Sequence, residues 1–271
     1  MFYHAKDGSV RAGNSEMDYI TFGNGNKHLV MLPGLGDGLT TVKGKALILA
    51  MTYRMYAKEY TVSIFSRKAD LPDSYSTREM ARDQAMAMAA LGIEQADVIG
   101  ISQGGMIAQY LAIDYPALVG RLILAVTASR PNETLQDAVG NWIRMAEQGN
   151  YKALMIDTAK KTYSDRFLQK YRFLYPLLGC AGRPKSFRRF LIQAASCICH
   201  DAYPELHKIL CPTLVIGGGM DKIAGPAAAS ESAEKIQGSE LFIYKDLGHG
   251  TYEEAKDFNR RCLDFLTAIS S

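Results

Sequence analysis

The sequence predicts an α/β protein in which a mostly parallel, doubly wound sheet is interrupted by an all-helical insertion. Short apolar runs alternate with helix-like segments along most of the 271 residues, as in parallel sheets joined by crossover helices. The alternation stops after Ser129 and returns at Thr213. Ser102 lies at the junction of a strand-like run and a helix-like run. The first two observations predict the fold class, and the third marks a candidate site.

The N-terminal part of the chain predicts strands followed by one helix. Residues 17–21 alternate between apolar and polar side chains and lead into a Gly-Asn-Gly-Asn segment at 23–26, which predicts an edge hairpin. Residues 28–32 are almost continuously apolar, as expected for a strand that helices cover on both faces. A helix over about 45–58 then leads to a strand at 60–65.

The later elements repeat this order. Alanine and methionine are frequent in residues 77–91, which predicts a helix, and Pro116 ends the helix that follows Ser102. The remaining predicted elements are strands at 97–99, 121–126, 213–216 and 240–244 and a final helix at about 252–269.

Residues 130–205 predict a helical lid inserted into a core formed by residues 1–129 and 206–271. This segment has no strand pattern, and its aromatic and methionine side chains are spaced as in helices that dock on a domain. It holds twelve Lys or Arg and seven Asp or Glu, a charge that predicts a solvated outer face and modestly favours anionic substrates. The first basic residues to test are Arg183, Lys185, Arg188 and Arg189. The aromatic and methionine positions are Trp142, Met145, Tyr151, Met155, Tyr163, Phe167, Tyr171, Phe173, Phe187 and Phe190.

The composition is that of a globular enzyme. Hydrophobic residues make up 48% and charged residues 22%, and the net charge is only +3 without a basic cluster interleaved with aromatics, which argues against a nucleic-acid partner. The N-terminus lacks a signal-peptide pattern, and no apolar run has the length of a membrane span. Five cysteines without disulfide-like spacing predict a reducing compartment, so we expect a cytoplasmic protein that does not insert in membranes.

Ser102 is a candidate nucleophile because of its context. It stands in the pentapeptide Gly-Ile-Ser-Gln-Gly at 100–104, after the strand-like run 96–99 and before the helix-like run 105–111. A strand that turns abruptly into a helix at this pattern forces the serine into a strained turn, where small neighbours prevent clashes and the hydroxyl is exposed. The alternative is a structural turn without chemistry.

A serine hydroxyl needs a base within hydrogen-bond reach and a carboxylate that orients the base. Functional groups of open α/β sheets gather at the carboxyl ends of strands. Asp221 follows the strand at 213–216 and a run of three glycines, and His249 follows the last strand. Asp246 and Glu133 are the competing carboxylates, and His4, His28, His200 and His207 are expected to be structural or exposed.

A metal site is not expected at Cys197, Cys199 and His200. Their flanking pattern is helical, and residues two apart on a helix do not face the same point. The two cysteines are expected to be a buried, reduced pair.

Residues 100–104, 212–221 and 247–249 together resemble the nucleophile elbow, the acid-bearing strand and loop, and the histidine loop of the α/β-hydrolase superfamily, in its lid-bearing branch of esterases and C–C bond hydrolases. The resemblance extends over nearly the whole chain. It implies that Ser102 is the nucleophile, that His249 is the general base and then acid, and that Asp221 is the orienting carboxylate.

The resemblance also assigns an oxyanion hole to the backbone N–H groups of Leu35 and Gln103. Pro33 stands where many members carry histidine, but proline at this position leaves the Leu35 donor intact. Residues 66–70 replace a glycine-rich loop that borders the pocket in the family, so this resemblance is weaker evidence for the substrate.

These features predict a cofactor-free serine hydrolase, without a metal, that cleaves small or medium carboxylic esters through an acyl-serine intermediate. One alternative is C–C bond hydrolysis of a β-diketone or ring-cleavage product. Another is a slowly hydrolysing receptor or signalling protein whose lid recruits a partner. The acyl group, the leaving group and the oligomeric state stay open, because neither fold nor catalytic groups determine a substrate.

Overall fold

A computed structural model describes residues 2–171 and 182–268. Its centre is one eight-stranded sheet with the order β1-β2-β4-β3-β5-β6-β7-β8. The strands are β1 (Lys6–Ala12), β2 (Ser15–Phe22), β3 (Lys27–Leu32), β4 (Tyr60–Lys68), β5 (Ala96–Ile101), β6 (Val119–Ala125), β7 (Thr213–Gly218) and β8 (Glu240–Tyr244). Strands β3 to β8 are parallel. The predicted α/β class is therefore confirmed.

Helices connect the parallel strands. They are α1 (Ala46–Thr52), α2 (Thr77–Ala90), α3 (Gln103–Asp114), α4 (Glu133–Glu147), α5 (Tyr151–Thr162), α6 (Asp165–Tyr171), α7 (Arg188–Ile198), α8 (Ala228–Lys235), α9 (Thr251–Glu254) and α10 (Phe258–Thr267). The predicted final helix at 252–269 is broken at residues 255–257 in the structure, and residue 269 lies outside the described residues. No described helix has both the length and the apolar character needed to cross a bilayer.

The edge hairpin is shifted from its predicted position. It joins β1 to β2 through the turn at residues 13–14, and β2 then pairs antiparallel with β4, with Ile20 opposite Ile64. The Gly-Asn segment at 23–26 instead connects β2 to β3, which lies beyond β4 in the sheet. A turn at 23–26 was predicted from its local sequence. The strand that pairs with β2 was not, because this pairing depends on contacts between residues far apart in the chain.

Helices cover both faces of the sheet. On one face, buried side chains of α2 and α3, including Met80 and Leu111, pack on apolar residues of the central strands such as Val98. On the other face, α1 and α10 contribute Ala50 and Phe258 to a second apolar cluster. The central strands are buried on both sides, which explains their nearly continuous apolar sequence.

Helices α4 to α7 lie between β6 and β7 in the chain, and we call them the insertion helices. Their apolar faces, with Leu135, Trp142 and Phe190, form a third cluster with Leu35 and Ile223 from loops that follow β3 and β7. The insertion helices are therefore docked over the carboxyl edge of the sheet, and the described residues of 130–205 contain no strand. Phe173 and Cys180 lie outside the described residues.

Candidate active site

Ser102 occupies a strained turn between β5 and α3. Its φ of 54° and ψ of −120° are rare for a residue with a side chain, and the turn leaves it partly exposed at the carboxyl edge. Gly104 makes the turn possible, because a Cβ at this position would lie 1.8 Å from the carbonyl oxygen of Leu32. The Thr127 hydroxyl, which sequence reasoning missed, donates a 2.8 Å hydrogen bond to the Ser102 carbonyl oxygen.

His249 and Asp221 lie in two loops that press against each other. The glycines before Asp221 act here through close approach and not through flexibility, since a Cβ on Gly218 would lie 2.2 Å from the carbonyl oxygen of Gly248. Both His249 and Asp221 are almost fully buried. The contact between their loops places the carboxylate directly beside the imidazole ring.

A continuous chain of hydrogen bonds joins the three side chains. The Ser102 Oγ lies 2.9 Å from Nε2 of His249, and the other ring nitrogen, Nδ1, lies 2.9 Å from Oδ2 of Asp221. The backbone N–H groups of Ile223 and Ala224 donate to Oδ1 of the same carboxylate, at 2.8 and 2.9 Å. A carboxylate beside Nδ1 favours the tautomer that carries its hydrogen there, which leaves Nε2 free to accept the serine proton.

The competing residues lie elsewhere. Asp246 and Glu133 are exposed, and neither carboxylate contacts His249. His4 and His207 are also exposed, as expected. His28 stands near the start of β3, at the opposite edge of the sheet.

His200 is a buried structural residue. Its Nδ1 lies 2.8 Å from the Thr77 hydroxyl and its Nε2 lies 3.0 Å from Oε1 of Gln109. Burial lowers the pKa of His200 to about 3, which keeps the ring neutral. These contacts tie the chain after α7 to α2 and α3.

The cysteines beside His200 do not form the expected buried pair. Cys197 is buried, whereas Cys199 at the end of α7 is exposed, because the helix turns them to different sides. Within residues 2–171 and 182–268, no group of His, Cys, Asp and Glu side chains is arranged to hold a metal ion.

The two predicted oxyanion donors flank Ser102. Leu35 begins a short 3-10 turn, Leu35–Gly38, and Gln103 begins α3, so each backbone N–H belongs to a first helical turn that leaves such groups without an internal partner. The loop that carries Leu35 lies against the serine, since a Cβ on Gly34 would lie 3.3 Å from the Cβ of Ser102. The arrangement can present two N–H groups to a developing negative charge.

Arg67 links the two segments that carry these donors, and sequence reasoning missed this role. Its side chain is fully buried, and its Nη2 donates to the carbonyl oxygen of Pro33 at 2.6 Å and to Oε1 of Gln103 at 2.9 Å. The side-chain Nε2 of Gln103 continues the network by donating to the backbone carbonyl oxygen of Gln193 in α7 at 2.8 Å. Arg67 lies in the segment 66–70, which the sequence distinguishes only by its departure from the family's glycine-rich loop, and nothing in its neighbours predicted burial.

Asp37 completes this buried network. Its Oδ2 accepts from Nη2 of Arg189 at 2.7 Å, from the backbone N–H of Arg67 and from Gln193. Burial alone would raise the pKa of Asp37. The guanidinium groups of Arg67 and Arg189 outweigh this effect, so the pKa lies below its ordinary value and the carboxylate is charged.

Two of the basic residues named in the insertion, Arg188 and Arg189, differ in their exposure to solvent. Arg189 is turned inward to the network around Asp37, so the expectation that it lies on a solvated outer face is wrong. Arg188 beside it pairs with the almost fully exposed Asp73. Successive residues of a helix face different sides, so Arg189 reaches the buried Asp37 whereas Arg188 reaches the exposed Asp73.

A cavity of about 380 Å³ opens beside Ser102 and His249. The insertion helices contribute Trp142, Thr158 and Thr162 to its wall, and Lys45 lines it from the segment before α1. Its apolar lining includes Met31, Leu32, Pro33, Leu35, Val42, Leu49, Tyr53, Ile64, Ile101, Trp142, Ile223 and Tyr252. Such a mainly apolar cavity with a few convergent polar groups is typical of small-molecule sites.

Comparison with known proteins gives the same fold. The profile of the family described as "alpha/beta hydrolase fold" matches residues 63–151. A 2-hydroxy-6-oxononadienedioate/2-hydroxy-6-oxononatrienedioate hydrolase of Paraburkholderia xenovorans (strain LB400) is 26% identical, with 98% of this chain and 94% of that protein covered.

Two crystal structures extend this comparison. An α/β hydrolase from a Medee basin deep-sea metagenome library has a TM-score of 0.83 at 21% identity, covering 97% of this chain and 98% of that one. The enol-lactonase of Burkholderia xenovorans LB400 has a TM-score of 0.80 at 21% identity, with coverages of 96% and 100%. The family profile and the two structures together show that the chain has the α/β-hydrolase fold.

Proposed function

We propose that the protein is a serine hydrolase that cleaves small or medium carboxylic esters through an acyl-serine intermediate. The observation that carries this proposal is the hydrogen-bonded chain from Ser102 through His249 to Asp221 at the wall of the cavity. Serine is a weak nucleophile at neutral pH, and this arrangement supplies the base and the group that orients the base.

The proposed reaction has two halves. In the first, Ser102 Oγ attacks the ester carbonyl while its proton passes to Nε2 of His249, and the oxyanion accepts from the Leu35 and Gln103 N–H groups. The tetrahedral intermediate collapses, and the histidine returns the proton to the departing alcohol. In the second, water attacks the acyl-serine while His249 takes its proton, and the carboxylic acid is released with Ser102 restored.

We also propose that the insertion helices act as a lid. They contribute Trp142, Thr158 and Thr162 to the cavity wall, so they limit the space around a bound substrate. Excluding water from the site would strengthen the hydrogen bonds to the oxyanion.

Replacing the serine tests the proposal. Ser102→Ala should lower the kcat for p-nitrophenyl butyrate by about 10⁴-fold or more, since nucleophile removal has effects of this size in serine hydrolases. Ser74→Ala, which changes an exposed serine that does not line the cavity, is the matched control and should leave kcat within about twofold of the wild type. Retention of most activity by Ser102→Ala would contradict the assignment.

C–C bond hydrolysis is the second candidate, because the 26% identical relative is named for a hydrolase of an oxo-dienedioate. The same serine, histidine and oxyanion donors can serve both reactions, so geometry does not separate them. Comparing kcat/KM for a β-diketone or a ring-cleavage dienone with that for an ester of similar size distinguishes the two. Slow turnover of both, together with ligand-dependent capture of a partner, would instead favour a receptor on this fold.

A further inference from the structure

The cavity wall contains a cation whose charge has no close partner among the described residues. Among the described residues that line it, the acidic and basic side chains are Asp37, Lys45 and His249. His249 is bonded to Asp221 and Ser102, and Asp37 is bonded to Arg189. Within the described ranges, the Lys45 ammonium has no carboxylate within ion-pair distance and no hydrogen-bond partner.

Asp37 does not neutralise Lys45. Its carboxylate already interacts with the guanidinium groups of Arg67 and Arg189, which lie behind the cavity lining, so one negative and three positive charges lie in this region. The attraction of Asp37 for Lys45 is weaker than the effect of burial, which lowers the pKa of Lys45.

The position of Lys45 gives it no evident structural role. It directly precedes α1, where the helix dipole is unfavourable to a cation. Its partly buried side chain lies among apolar neighbours, including Val42 and Leu49, instead of extending into a solvated charge network. By contrast, Lys43 two residues earlier is exposed and pairs with Asp18.

We propose that the substrate carries a carboxylate remote from the bond that is cleaved, and that Lys45 binds this carboxylate. The inference rests on the proposed function of Ser102 and deepens it by naming a substrate class. One ammonium balances the single charge of a carboxylate, whereas a phosphate dianion would leave an uncompensated charge in a mainly apolar cavity. The bound carboxylate would also hold the ester carbonyl beside Ser102.

Two pairs of esters test the proposal and locate the carboxylate. In the acyl pair, mono(4-nitrophenyl) glutarate is compared with its neutral methyl ester through release of nitrophenolate. In the alcohol pair, 4-acetoxybenzoate is compared with methyl 4-acetoxybenzoate. The wild type should prefer the anion by about tenfold or more in kcat/KM in one pair, which shows whether the acyl or the alcohol part contacts Lys45.

The matched variants are Lys45→Met, Lys45→Arg and Lys43→Met. Lys45→Met should lower the ratio of anionic to neutral kcat/KM by about tenfold, mainly through KM, and Lys45→Arg should retain most of it. A ratio cancels any general loss of activity. Lys43→Met should leave the ratio at the wild-type value. The proposal is overturned if the wild type prefers neither anion or if Lys45→Met keeps the wild-type ratio.

Failure of the hydrolytic function would be recognised separately. In that case the wild type would release no more product than Ser102→Ala from any of the four esters. Glutarate binding, measured by isothermal titration calorimetry, then tests Lys45 without turnover. Weaker binding to Lys45→Met than to the wild type supports the inference, and equal affinities or no binding to the wild type overturn it.

Discussion

The two sides of Ser102 are built from different parts of the chain. On one side, His249 and Asp221 stand on loops of the sheet, and each of their side-chain polar atoms has a partner. On the other side, the network of Arg67, Asp37 and Gln103 is completed by residues of α7, above all Arg189. The side that would handle protons is therefore contained in the core, whereas the side that would hold the oxyanion depends on the insertion.

The two sides also differ in how completely their polar groups are satisfied. Among the described residues, Nε and Nη1 of Arg67, Oδ1 of Asp37 and Oε1 of Gln193 are buried without a protein partner. Buried groups in this state are costly, and a partly satisfied network is sensitive to the loss of any member. We therefore expect substitutions on the first side to affect chemistry and substitutions on the second to affect stability as well.

The largest expected effect is on the first side. In Asp221→Asn, the carbonyl oxygen stays with the N–H groups of Ile223 and Ala224, so the amide NH₂ faces Nδ1 of His249. This forces the imidazole hydrogen onto Nε2, where it can no longer accept the Ser102 proton. kcat for p-nitrophenyl butyrate should fall by about 10³- to 10⁴-fold.

Asp246→Asn is the control for this variant, because it alters an exposed carboxylate three residues from the same histidine. It should stay within about twofold of the wild-type kcat. An equal loss in both variants would show that Asp221 does not orient the ring.

The second prediction uses two adjacent arginines of α7. Arg189→Met leaves the buried Asp37 without its closest counter-ion and should lower the free energy of unfolding by about 3 kcal/mol or more. Arg188→Met removes a pair with an almost fully exposed Asp73 and should cost less than about 1 kcal/mol. Urea unfolding monitored by circular dichroism measures both. Similar losses in the two variants would mean that the pairing of Arg189 with Asp37 does not stabilise the fold more than an exposed ion pair does.

The third prediction concerns pH at the other end of α7. Folded His200 has a pKa of about 3 against 6.5 for an ordinary histidine, so the unfolded chain binds a proton that the folded chain excludes. The stability that depends on neutral His200 is fully present above pH 6.5 and is lost as pH falls toward 3. Between these values the wild type should lose about 1.4 kcal/mol of unfolding free energy per pH unit through this residue.

His200→Gln removes this contribution, and His207→Gln, at an exposed site, keeps it. Unfolding free energies from urea titrations between pH 7.5 and 5 give the slope for each protein. The slope of His200→Gln should be smaller than that of the wild type by about 1 kcal/mol per pH unit near pH 5. Identical slopes would mean that His200 is not kept neutral by burial.

Much of the fold could be predicted because its signals are local. Strand β8 has its predicted bounds, β5 and β7 are longer than predicted, and β6 begins two residues before and ends one residue before its predicted bounds. Helix α8 was not predicted, and the hairpin was placed one connection too late. Both errors have the same origin, because the pairing of β2 with β4 and the packing of α8 depend on residues distant in sequence.

In the candidate site, too, residues with a local sequence signal were predicted and residues that depend on distant contacts were not. Ser102, Asp221 and His249 were predicted because each directly follows a strand, and the structure brings their side chains within hydrogen-bond distance. Arg67 and Lys45 were not, since a basic residue near the end of a predicted strand or at the start of a predicted helix is usually exposed. Their importance comes from burial, and burial is a property of the assembled molecule.

The sequence alone was enough for the class of fold, a helical segment between β6 and β7 and three candidate catalytic side chains, because hydrophobic periodicity and the order of motifs are written in neighbouring residues. The folded chain was needed to show which arginine of α7 turns inward, that the glycines before Asp221 serve close contact, and that Lys45 lines the cavity without a partner in the part of the chain that the structure describes. These features depend on charges and atoms brought together across the chain, and the energy of a charge is set by its surroundings and not by its position in sequence.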